Sequence, residues 1–110
     1  MKIPATPFTI TKFAELPPSI AAGSTGSSLS RTATMSDLRV RVVEYGPGYL
    51  ADHWCDRGHV FYLLRGEVVV ELRDGRSFPM KAGECFQVSD DGDSSHRVRT
   101  AVGGTAFIVD

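Results

Sequence analysis

Residues that bind metals or run acid–base chemistry near neutral pH are scarce in this chain: three histidines and two cysteines in 110 residues. Neither charge sign dominates, with 12 Lys and Arg against 13 Asp and Glu. The basic stripe of a nucleic-acid surface is missing, so no nucleic-acid partner is expected. No apolar run approaches the roughly 20 residues needed to cross a bilayer, which removes the membrane as an expected partner. No segment sustains apolar residues at helical spacing, so little helix is expected. There are no repeats. The opening Met1–Pro7 has two prolines and no continuous apolar stretch, so no signal peptide is expected. The expected compartment is the cytoplasm, where Cys55 and Cys85 stay thiols.

What is present is a succession of short alternating runs. Hydrophobic residues make up 42%, enough for one core in a single domain of this length. The division expected is an N-terminal arm and Gly/Ser loop over residues 1–28, followed by a barrel over 29–110. In the arm, Pro4, Pro7, Pro17 and Pro18 flank Phe8–Phe13, which alternates and suits an edge strand. Such an arm docks on a neighbouring sheet or a second subunit, and a homodimer is expected. Ala21–Ser28 reads as a flexible loop. Strands are then expected at 29–35, 38–42, 49–55, 59–64, 68–72, 76–80, 84–88, 96–100 and 105–109. Leu38, Val40 and Val42 are assigned to the interior, and Arg39 and Arg41 to water. Arg65-Gly66 and Asp74-Gly75 read as turns. Many short strands at this spacing mean a sandwich or barrel.

Three metal-ligand side chains fall within seven residues: His53, Cys55 and His59. On a strand, residues two apart share a face, so His53 and Cys55 would aim at one point. After Gly58 the next strand opens with His59, on the same row as Phe61 and Leu63. Each of these residues alone has an ordinary reading, as a strand-end polar group or a small core residue. Together with His96 they use every histidine in the chain. Imidazole and thiolate suit zinc, iron, nickel or copper, and do not suit magnesium or calcium. Cys85, on the opposite face from Phe86 and Val88, reads as structural.

The run resembles the first motif of the cupin family, in which a glycine precedes His-x-His, then Glu, then Gly. His53-Trp54-Cys55 stands at His-x-His, His59 at the Glu, and Gly66 at the closing glycine. Two of the three ligand types therefore differ from the common pattern. The Asp52-His53-Trp54-Cys55 run is similar to that of a small branch of single-domain cupins. His96 falls at the histidine of the second motif, whose usual Pro-x-Gly is missing here, and Thr100 stands where Asn is frequent. The resemblance covers about Val40–Asp110. It implies an all-β double-stranded β-helix, or jelly roll, holding a divalent metal at His53, Cys55, His59 and His96. It further implies a small-molecule ligand, with Tyr49, Phe61 and Phe86 lining the pocket mouth. Such a site fits an oxygenase, an isomerase or a lyase. Four donors closed around zinc would instead make a structural or simple binding module. No catalytic acid or base stands out.

Overall fold

The computed structural model describes residues 3–110 and is built almost wholly from antiparallel strands. A single 3₁₀ turn spans Phe13–Glu15. Eight strands follow: β1 (Ser19–Ala22), β2 (Ser27–Met35), β3 (Leu38–Tyr45), β4 (His59–Leu72), β5 (Ser77–Lys81), β6 (Cys85–Val88), β7 (His96–Arg99) and β8 (Gly104–Val109). The path β1-β2-β3-β8-β4-β5 is continuous, with β6 and β7 also paired to β4. The expected all-β architecture is present.

Strand β4 is the axis of this arrangement. Its first residues pair with β6, its first half with β8, and its second half with β5 and β7. The turn expected at Arg65-Gly66 does not form. The strand continues unbroken through a bulge between Leu63 and Arg65 and changes partners there. Gly66 has φ +81, and a Cβ on it would stand 2.2 Å from the Gly103 carbonyl oxygen, so only glycine fits this crossing. The core forms on the inner face where β4 and β8 pair side by side. Leu63 and Ala106 are fully buried, with Phe61, Val68, Val70 and Ile108 around them. The alternating row His59, Phe61, Leu63 does face inward, as its spacing requires.

Three further expectations fail for physical reasons. Residues 49–55 do not form a strand; only isolated bridges at Leu50 and Cys55 remain. Phe8–Phe13 does not pair, because prolines on both sides remove donors and fix φ; pairing begins instead at Ser19, and β1 runs on into the first two residues of the supposed loop. Leu38 is buried as expected, but beyond it the phase of β3 is inverted. Arg39, Arg41, Val43 and Tyr45 face the barrel interior, whereas Val40 lies on the outer face beside Phe13, Met35 and Phe107. The arm therefore covers its own sheet, with the Phe13 and Phe107 rings packed edge to face at 6.4 Å. An outer apolar layer releases the inner row of β3 from forming the core, and that row is free to carry charge.

Candidate metal centre

Three of the four expected donors converge. The donor atoms of Cys55, His59 and His96 all lie within 4.8 Å of one another. Each is set by backbone pairing. His59 opens β4 opposite Val88 of β6. His96 opens β7 opposite Leu72, at the far end of β4. Cys55 is joined to His96 by two reciprocal backbone hydrogen bonds of 2.8 and 3.0 Å. Gly58 lets the preceding loop pass close to the 89–95 loop: a Cβ there would meet the Asp90 amide nitrogen at 2.8 Å. The two loops are tied again by the Asp91 amide donating to the Asp56 carbonyl and by Ser95 bonding the Asp56 carboxylate. The long loop before His96 thus delivers that residue to the site.

His59 and His96 are buried, 7% and 4% exposed, with their rings 4.7 Å apart and nearly perpendicular. Cys55 Sγ sits 3.3 Å from His59 Nε2. The His59 contact, then His96, pulls the Cys55 thiol down to about 5, against a smaller opposing effect of burial. A thiolate is therefore the resting form at neutral pH. Burial would lower the His59 pKa, but Asp110 and the Cys55 thiolate overcome it and raise the imidazole above its ordinary value.

His53 lies outside this group. Its side chain is 76% exposed and its Nδ1 is 2.7 Å from Asp52 Oδ1. The physical reason is the missing strand: without regular alternation, His53 and Cys55 no longer share a face. His53 does line the same cavity as the three donors, a space of about 420 Å³ that also touches Tyr49, Phe61 and Phe86. Phe61 is mostly core, stacked on Phe86 at 4.9 Å. Cys85 is exposed and stands apart from the site. Trp54 turns away from the donors and is capped by the Arg97 guanidinium at 4.3 Å.

The sequence reading missed Asp110, Arg39 and Arg41. The Asp110 carboxylate is fully buried. It accepts from Arg39 Nε and one terminal nitrogen at 3.0 and 2.8 Å, and from Arg41 at 2.9 Å. His59 Nδ1 lies 3.1 Å from Asp110 Oδ2, off the line of a straight hydrogen bond. Such an outer carboxylate orients a ligating imidazole and directs its other nitrogen to the ion. Burial opposes ionisation of Asp110, but His59 and the two arginines outweigh it and hold the carboxyl well below the usual carboxylate range. One signal was legible: Val43 and Tyr45 extend the arginine row with apolar residues, while Glu44 ends the Val40–Val42 row with a charge.

The donor chemistry fits a divalent transition metal. Neighbouring donors in a tetrahedral zinc site stand roughly 3.3–3.8 Å apart, given bonds of about 2.0–2.3 Å, and the Cys55–His59 separation is already in that range. His96 Nε2 is buried without a hydrogen-bond partner, a costly state for an imidazole nitrogen.

This barrel, with His59 from its fourth strand and His96 from its seventh brought together, has the cupin fold. Solved structures agree. A predicted oxalate decarboxylase from Thermotoga maritima matches with a TM-score of 0.76 at 18% identity, over 92% of this chain and 96% of that one. Ectoine synthase from P. lautus matches with a TM-score of 0.73 at 16% identity, over 93% and 76%. A cupin-2 domain protein from Shewanella frigidimarina matches with a TM-score of 0.58 at 19% identity, over 74% and 78%. No family model matches the sequence, and no curated protein does. Among the described residues, no helix is long and apolar enough to cross a membrane.

Proposed function

We propose that the chain holds a divalent transition metal on Cys55, His59 and His96 and presents it to a small molecule in the adjoining cavity. The observation supporting this reading is the convergence of three donors, two of them buried imidazoles that each keep a ring nitrogen without a hydrogen-bond partner. Three protein donors leave a position for a ligand, the arrangement of catalytic rather than structural sites. Bound there, the ion would supply Lewis acidity or a site for an oxygen ligand. The chain's own residues do the rest. Asp110 orients His59, the phenols of Tyr45 and Tyr49 stay protonated because burial raises both, and Phe61 and Phe86 supply an apolar wall. An oxygenase, isomerase or lyase acting on a small molecule suits this site. A free Cys55 thiolate suits a reducing compartment such as the cytoplasm.

Cobalt substitution tests this directly. Thiolate-to-cobalt absorption that shifts on adding azide is expected. Bands that ignore azide would assign a closed, structural site, and the absence of thiolate bands would end the metal reading. We also propose a homodimer, because Phe8 is 93% exposed, Ile10 and Ile20 are exposed as well, and β1 ends the sheet with one edge unpaired. Sedimentation at micromolar concentration should give twice the chain mass, and a monomer would reject it.

A further inference from the structure

Arginines seldom face the inside of a small barrel, since each charge must be compensated there. Here two of them share one carboxylate. Arg39 takes Asp110 with a paired fork, through Nε and a terminal nitrogen. Arg41 reaches Asp110 through a single terminal nitrogen, and its Nε is buried without a partner. Its side chain is 22% exposed and lines the same cavity as the metal donors. Arg41 and His59 also contact the same oxygen, Asp110 Oδ2. The cationic edge therefore lies one carboxylate oxygen away from a metal ligand.

Arg97 and Asp52, also at the cavity, have partners of their own. Arg97 bonds Glu71 at 3.0 Å and covers Trp54. Asp52 is occupied by His53. The Arg39–Arg41–Asp110 cluster carries one more positive than negative charge, and the Cys55 thiolate on the same cavity is committed to the ion in the proposed function. A guanidinium edge prefers a planar two-oxygen anion. One surplus charge suits a carboxylate better than a doubly charged phosphate. Around it, Tyr45 and Tyr49, with rings 5.0 Å apart, and Phe86 offer an apolar bed.

We infer that the cavity binds a small organic acid, its carboxylate held by Arg41 and its apolar body resting on Tyr45, Tyr49 and Phe86. This deepens the proposed function: the same cavity, with the metal as the acid's second anchor. The acid is placed by Arg41 so that its far end meets the ion, and neutral analogues of the same shape are refused. Arg39, committed to Asp110 by both donors, fixes the carboxylate on which Arg41 leans.

Titrating the zinc-loaded and chelator-treated protein with benzoate and benzamide, followed by calorimetry, tests the inference. Benzoate should bind both forms, and benzamide at least about 10-fold more weakly, the value of a charge-assisted contact. Arg41→Gln should weaken benzoate by roughly 10-fold or more, and Arg41→Lys, which keeps the charge but loses the fork, by less. Zinc content of Arg41→Gln should equal that of the wild type. Inorganic phosphate at equal concentration should not displace benzoate. Equal binding of benzoate and benzamide to the wild type overturns the inference, whatever the variants do. So does full benzoate affinity in folded Arg41→Gln, or displacement by phosphate. Failure to take up zinc while benzoate still depends on Arg41 would remove the metal reading alone.

Discussion

Replacing His96 with alanine should lower metal affinity by more than about 100-fold, beyond the 10–100-fold typical of losing an outer-shell partner. His53→Ala should leave metal content close to wild type. The contrast rests on geometry: His96 is buried beside Cys55 and His59, while His53 is exposed and bonded to Asp52. The sequence offers both as donors, and only His96 stands with Cys55 and His59 in the structure. Metal analysis after dialysis against a weak chelator reads the difference. Equal loss in both variants, or retention in His96→Ala, would refute the assignment. Cys55→Ser with loss of thiolate absorption in the cobalt form would confirm the third donor.

Asp110→Asn should be the most destabilising conservative change near the site. It removes the carboxylate from two guanidiniums and one imidazole. Breaking a buried charge pair costs about 3–5 kcal/mol. Because Arg39 and Arg41 retain some solvent contact, the low end applies, a fall in Tm of roughly 12–20 °C for a domain this size. The same residue sets an acid limit. Its folded pKa lies below the unfolded value, so the stabilisation is complete above about pH 4 and is lost as pH falls below that toward the folded value. Wild-type Tm should drop through that acid range, and Asp110→Asn should flatten the drop. Thermal melts from pH 7 to pH 2 check both, and a variant as stable as wild type would show that the cluster contributes nothing.

These predictions depend unequally on what could be read from the sequence. The all-β barrel was legible because alternation recurs along β4 and β8 and the Asp74-Gly75 turn separates β4 from β5, and the Cys55–Gly66 spacing pointed to a known motif. The inward aim of His59 followed from its row with Phe61 and Leu63. The part that was not legible required knowledge of what covers each face. In β3 both rows hold valines, so alternation alone could not decide which was inside. The arm over Val40 and Phe107 settles that question, and it is held there by contacts distant in sequence. His53 was misplaced by the assumption of a strand across 49–55, where the chain makes only single bridges. Asp110 gave no local sign, because its partners lie about seventy residues earlier along the chain.

Fully stretched, the 14 residues of β4 would hold their ends about 43 Å apart. Yet His59 is its first residue, His96 is paired to its last, and their rings nearly touch. The segment has curled into a hoop, with Gly66 near its midpoint as the flexed link. An ion gripped by both imidazoles would be the buckle of that hoop, so the dimensions of the grip are set by the circumference of the whole barrel and not by any single loop.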